Sequence, residues 1–295
     1  MRIGISAYDM TATDLLDLAS AADDAGFDML WLGEHLFLPV AYEAEHPTSG
    51  GDAHKHHTGP VVSPDTELLD PLVELAAVAG ATRRIRLATG IFILPLRHPL
   101  ATARAAATLQ EASGGRFSFG VGFGWLQVEF DALGIPFDER VGRFEESIDV
   151  MRAAWAGGPL EHHGRHFSFD TVQLTSRAVH VPLILGGNSP RALRRAARLG
   201  DGWFSSGTPD LDEAQRLRDE LYRLRAEAGR TGPFRIFVRM EPADPTTIER
   251  YAAAGFDDVA IWADQLWAPG RGADPHAALA AAAGDLRITP TSTPR

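Results

Sequence analysis

Short β-like runs alternate with longer helical patterns along nearly the whole chain, and this alternation restricts the fold more than any other feature. Residues 2–6 read as a strand; Asp14, Leu15, Leu18, Ala19 and Ala22 then recur at helical spacing up to Gly26, a helix stop. The same unit recurs. Strands are predicted at 29–35, 85–94, 117–122, 181–185, 202–205, 235–240 and 258–262. Helices are predicted over 68–81, 99–112, 138–156, 190–199, 210–228, 245–254 and 275–283. Parallel neighbours need a crossover of about a dozen residues, which these helices supply. Eight such units in 295 residues predict an α/β fold, a closed (β/α)8 TIM barrel forming a single domain over 1–295. An open doubly wound sheet shows the same alternation and stands as the alternative.

Two segments interrupt the rhythm. Residues 36–66, after the second strand, are rich in Gly, Pro and His and read as a lid-like loop on the rim where barrels place their chemistry. Residues 158–180 alternate His163, Arg165, Phe167, Phe169, Val172 and Leu174, a hairpin inserted before strand five. The tail from Thr289 reads as frayed. A net charge of −11 speaks against nucleic acid and anionic membrane surfaces, both of which want a basic footprint. The absence of cysteine excludes disulfides, thiolate metal sites and a cysteine nucleophile. No signal segment and no membrane span are read, so a cytoplasmic location is expected.

Three places carry residue types suited to chemistry. In Leu183-Ile184-Leu185-Gly186-Gly187-Asn188-Ser189-Pro190-Arg191 a buried strand ends in two glycines before a helix with Ser189 as N-cap and Pro190 at its first position. Such a turn is either a phosphate cradle, using free amides and the helix dipole, or simply a tight βα connection. Gly120-Val121-Gly122-Phe123-Gly124-Trp125 lacks the third glycine and immediate helix of a dinucleotide fingerprint. Its glycines let a flat ring approach, with Trp125 as a wall, or relieve crowding inside the barrel. Glu34-His35 ends strand two on the rim, where a histidine serves as acid, base or hydrogen-bond partner, or packs structurally against Glu34. His46, His54, His56 and His57 lack metal-ligand spacing and read as a solvated loop, so no metal is expected. Neither a nucleophile elbow nor a Walker sequence occurs.

Taken together, Gly26-Phe27-Asp28 to Glu34-His35, Arg84 to Ile91, Ser113-Gly114-Gly115-Arg116-Phe117, Gly120 to Trp125, Phe137-Asp138-Glu139-Arg140, Leu185-Gly186-Gly187-Asn188 and Gly200-Asp201-Gly202-Trp203 resemble the bacterial luciferase-like monooxygenase superfamily. The likeness is to its branch dependent on the deazaflavin coenzyme F420. It implies a (β/α)8 barrel with the cofactor ring across the C-terminal rim and a non-proline cis peptide at Gly90-Ile91 propping it. It also implies cofactor contacts from Thr89, Gly90, Ile91, Gly122, Trp125, Gly186, Gly187, Asn188, Ser189 and Arg191, and a catalytic role for His35. One departure stands out: sugar-phosphate dehydrogenases of the superfamily carry a carboxylate where Trp125 stands, which favours a more apolar substrate here. Trp31, Phe37 and Trp262 are candidate pocket walls, with core packing as the competing explanation.

The resemblance therefore implies an F420-dependent oxidoreductase moving a hydride between the deazaflavin and a small apolar substrate. The alternative is an FMN-dependent monooxygenase fed by a separate flavin reductase and using O2, and a third reading is a non-catalytic flavin-binding barrel. A homodimer is expected.

Overall fold

The computed structural model of the protein describes residues 1–40, 66–270 and 273–288. Eight parallel strands close on themselves in the order β1 (Arg2–Ala7), β2 (Met29–Leu32), β3 (Arg86–Thr89), β5 (Phe117–Gly122), β8 (Leu183–Gly186), β9 (Gly202–Phe204), β10 (Arg235–Arg239) and β11 (Asp258–Trp262). The ring closes because β11 pairs with β1, Arg2 opposite Asp258, so the barrel and not the open sheet is the fold. The helices α1 (Ala12–Ala25), α2 (Pro71–Ala81), α3 (Pro99–Ala112), α5 (Arg140–Ala156), α6 (Pro190–Leu199), α7 (Leu211–Glu227), α8 (Pro245–Ala253) and α9 (Pro275–Asp285) fill the crossovers and close the chain.

Several helix starts follow from local chemistry. Asp70-Pro71, Ser189-Pro190, Asp244-Pro245 and Asp274-Pro275 each place a side-chain acceptor at the N-cap and proline in the first turn. The acceptor satisfies an otherwise orphaned amide, and proline has none to lose there. The apolar stripes of the helices pack on the outside of the barrel around Ile5, Leu15, Leu18, Leu87 and Phe119. A separate cluster fills the barrel itself: Met29, Trp31, Ala88, Ile184, Phe204, Phe237 and Ala260. Trp31 stacks on Phe204 at 4.3 Å and meets Phe237 edge-on at 4.8 Å, so the barrel is a packed core with a closed floor. Trp31 is thus a core residue, not a pocket wall.

At the N-terminal end of the strands the buried Asp258 carboxylate draws in Arg2 at 2.7 Å, Arg235, and Arg86 at 3.8 Å. The C-terminal end carries a different set of groups.

Two local features depart from the sequence reading. The strand predicted over 85–94 breaks at a cis peptide between Gly90 and Ile91, as the resemblance implies, and resumes as β4 (Phe92–Ile93), which pairs with β5. A short helix unread in the sequence, α4 (Gln127–Ala132), opens just after Trp125. The helix has only six residues, too few for periodicity to show. The inserted hairpin is present as β6 (Pro159–His163) and β7 (Ser168–Gln173), antiparallel. Glu146 of α5 anchors its tip by accepting from the His166 and Phe167 amides and pairing with His162 Nε2 at 2.9 Å. Most of the lid-like loop, the four loop histidines and the tail from Thr289 lie outside the described residues. Among the described residues, no helix is long and apolar enough to cross a membrane.

Candidate active site

His35 follows β2 on the C-terminal rim, where Trp125 and Glu129, from the segment after β5, reach it. Its Nδ1 lies 3.0 Å from Glu129 Oε2, and its ring meets the Trp125 indole edge-on at 5.6 Å. Glu129 is fully buried on α4, and its second oxygen accepts the Leu36 amide at 2.7 Å. A buried carboxylate facing one ring nitrogen holds the proton there, which leaves Nε2 as the nitrogen able to exchange a proton with a ligand.

Glu34, beside it in sequence, does something else. Its carboxylate takes both arms of Arg97, at 2.8 and 2.7 Å, and the Ile93 amide at 2.7 Å. Burial pushes this carboxyl upward, against the pull of Arg97 and the amide. The structural reading of a His35–Glu34 pair is therefore corrected: consecutive residues point to different partners, and Glu34 ties the end of β2 to the segment that follows the cis peptide.

The glycines of β5 and β8 resolve in favour of crowding. A Cβ on Gly120 would overlap the Thr89 carbonyl, one on Gly122 would collide with Ile91, and one on Gly186 would stand 2.7 Å from Ile91 Cδ1. Gly120 makes room for the neighbouring backbone, and Gly122 and Gly186 for the Ile91 side chain. Thr89 is also buried, donating its hydroxyl to the Gly120 carbonyl at 2.6 Å. The structure thus places Thr89 and Gly122, both expected to touch a cofactor, in the barrel wall. Gly90 and Ile91 are half-buried at its mouth, with Gly90 against Trp31 and Phe204.

The turn after β8 is built around Gly187, whose φ of +105° suits glycine alone. Its carbonyl accepts from Trp203 Nε1 at 2.8 Å. Asn188 donates to the Ser206 carbonyl at 2.8 Å and accepts the Ser206 amide at 2.9 Å, tying the loops after β8 and β9 together. Ser189 caps α6 by accepting the Ala192 amide at 3.2 Å, and Arg191 is exposed. Asn188 and Ser189 therefore shape the turn with their side chains, while the half-buried Gly186–Gly187 backbone, the dipole of α6 and Arg191 remain suited to an anion. Replacing Gly187 with valine forces a branched side chain into a left-handed conformation and toward Ala192. Cofactor affinity is expected to fall at least about tenfold, from about 1–3 kcal/mol of strain, with a smaller loss of stability; fluorescence titration reads the first and urea unfolding the second.

A flat, phosphate-bearing cofactor fits this arrangement: a floor closed by aromatic rings, half-buried residues around the mouth, and an anion-suited helix start beside it. Phe37 is largely exposed, and Trp262 is buried at the end of β11. Glu129 was not singled out in the sequence. The available signal was a carboxylate beside Phe130 a few residues after the glycine run, but without α4 nothing aimed it at His35. A hollow of about 640 Å³ lined by Arg152, Trp155, His180, Asp201 and Arg230 lies at the opposite, N-terminal end of the strands. It brings together no acid–base pair. Among the described residues, no cluster suits a metal ion.

Residues 2–250 match the luciferase-like monooxygenase family. A protein of Mycobacterium tuberculosis described as uncharacterized is 33% identical over 250 residues, covering 82% of this chain and 84% of its own. The F420-dependent glucose-6-phosphate dehydrogenase of Beutenbergia cavernae is 34% identical over 211 residues, covering 69% of this chain and 56% of its own. Among solved structures, the coenzyme F420-dependent tetrahydromethanopterin reductase of Methanopyrus kandleri superposes with a TM-score of 0.72 at 18% identity. That match covers 97% of this chain and 98% of the reductase.

Proposed function

From its membership of the luciferase-like monooxygenase family, in which it takes its place as an oxidoreductase, we propose that the chain is an F420-dependent enzyme acting on a small organic substrate. The observation that carries this reading is the His35–Glu129 pair at the mouth of the barrel, 3.0 Å apart, with the Gly187 turn on the same rim. Support for the deazaflavin comes from relatives and fold neighbours whose names state F420 dependence. The family description equally supports the second reading, an FMN-dependent monooxygenase served by a separate reductase.

When bound, the cofactor supplies the two-electron chemistry, exchanging a hydride with substrate or, as reduced flavin, activating O2. The chain's own residues do the rest. Gly186, Gly187, Arg191 and the start of α6 hold the phosphate, and Gly90 and Ile91 support the ring. Trp125 forms a wall beside His35 and favours a substrate with an apolar body. His35 holds a proton on Nδ1 against Glu129 and moves one at Nε2, to or from the substrate atom that changes charge. Glu129 stabilises the imidazolium formed on the way. A barrel that only stored flavin would have no use for a buried carboxylate aimed at a rim histidine. Assembly as a homodimer belongs to the same proposal.

Titrating the purified protein with F420 and with FMN, followed by cofactor and tryptophan fluorescence, tests the reading. Micromolar or tighter binding of F420 with weaker binding of FMN is expected. The reverse order favours the monooxygenase, and binding of neither rejects both.

A further inference from the structure

The top layer of the barrel interior holds a cation with no counter-charge among the described residues. Arg239, the last residue of β10, is only 6% exposed, and no carboxylate among the described residues pairs with it. Its guanidinium lies 4.0 Å from the Trp262 ring and 4.8 Å from the Phe204 ring. Its polar contacts are neutral and long: Nη2 donates to Ser6 Oγ at 3.1 Å and Nη1 to the Gly207 carbonyl at 3.4 Å, while Nε is buried without a hydrogen-bond partner. Arg225, 4% exposed, likewise lies among neutral acceptors, the Ala197, Gly200 and Gly232 carbonyls, but of the two only Arg239 leaves a buried Nε without a partner; the more exposed Arg97 has Glu34, and the arginines at the strand starts have Asp258.

Burial pushes the Arg239 guanidinium down to about 9, with Tyr8 working the other way, so it is still charged at neutral pH. The Tyr8 phenol is pushed up by burial and by nearby Asp264 and Asp9, so it is neutral and cancels nothing. Burying a charge away from any counter-charge is costly, and two neutral hydrogen bonds and stacking on two rings offset only part of that cost. Position supplies the reason. Phe204, against which Arg239 lies, also stands beside Gly90 at the cis peptide, where an added Cβ would come within 3.3 Å of its ring, so one aromatic ring lies between the cation and the mouth of the site.

We propose that Arg239 is a specificity-determining residue that makes the rim site prefer a flat ligand carrying a delocalised negative charge. The proposal deepens the functional reading above, because the site is the same. Two sources supply such an anion: a carboxylate or enolate on the substrate's apolar body, or the ring of the reduced cofactor, which gives up a proton near neutral pH. In a poorly solvated site a unit charge within several ångströms is felt strongly, so the preference is expected to be about tenfold or more.

The test compares wild type, Arg239→Met and Arg239→Lys, each checked for folding by circular dichroism. One arm measures benzoate against benzamide on the cofactor-free protein by tryptophan fluorescence; the other measures oxidised against chemically reduced FMN and F420. In wild type, benzoate is expected to bind at least about tenfold more tightly than benzamide, and Arg239→Met to abolish the difference while Arg239→Lys keeps most of it. Loss of the benzoate preference alone assigns the anion to the substrate, and loss of a reduced-over-oxidised preference alone assigns it to the cofactor. Should neither cofactor bind while the benzoate preference still depends on Arg239, the cofactor reading fails and the charge-selecting role stands. Absence of both preferences in wild type, or their survival at full size in Arg239→Met, overturns the proposal. Absence of both preferences in wild type overturns the proposal even where Arg239→Met fails to fold.

Discussion

Glu129→Gln is expected to cut turnover by about a hundredfold or more, because a carboxamide cannot serve both of the groups that the carboxylate serves. One Glu129 oxygen accepts the Leu36 amide at 2.7 Å and the other faces His35 Nδ1 at 3.0 Å. Leu36 offers only a donor, so the glutamine oxygen must turn to it. The NH2 group then meets Nδ1 and drives the histidine proton to Nε2, the opposite of the wild-type arrangement. His35→Ala removes the group altogether and is expected to lower turnover by about 10²–10⁴-fold. In both variants the loss falls on kcat more than on KM, and the pH–rate profile loses one limb. Cofactor affinity, set on the far side of the mouth, stays within a few-fold. Unchanged kcat and an unchanged pH profile in Glu129→Gln would show that the pair is structural.

Asp258→Ala is expected to give the largest loss of stability. The carboxylate is almost wholly buried at the N-terminal end of the strands, where β1, β10 and β11 start together. It collects Arg2 at 2.7 Å, Arg235 and, at 3.8 Å, Arg86, which also pairs with Asp28. Removing it leaves three mutually repelling guanidinium groups around an apolar methyl. Breaking a buried pair costs about 3–5 kcal/mol. The arginine side chains are 45%, 30% and 24% exposed, so water recovers part of that. A net loss of about 2–3 kcal/mol follows, or roughly 3–5 °C in Tm for a chain of this length. Arg2→Ala, at the most exposed of the three, should cost under about 1 kcal/mol. Because this cluster sits at the end away from His35, kcat per folded molecule stays at the wild-type value, which separates this effect from the previous one.

The barrel was legible because its determinants are local and repeated. Caps followed by proline, such as Asp244-Pro245, mark helix starts, Gly26 marks a stop, and the apolar period switches between strand and helix at each boundary. The site was only partly legible. His35 and Gly187 could be placed from position alone, one at a strand end and the other in a turn before a helix. Glu129 could not, since its partner is 94 residues away and the six-residue helix that aims it is too short to show a period. Gly120, Gly122 and Gly186 look like ligand-facing glycines in the sequence, yet Gly120 makes room for the Thr89 carbonyl, and Gly122 and Gly186 make room for Ile91, a packing relation created by the turn of the backbone after Gly90. Arg239 reads as one more arginine in a chain rich in them; only closure of the barrel shows that it is buried with no carboxylate partner among the described residues.

A crystal structure of the protein with F420, or with FMN if titration favours it, tests the account most directly. The ring is expected at the mouth of the barrel between His35 and the strand ends, within contact of Trp125, with the phosphate at the Gly187 turn and the first amides of α6. A cofactor bound in the hollow at the N-terminal end, or a phosphate held away from Gly186–Arg191, would contradict it.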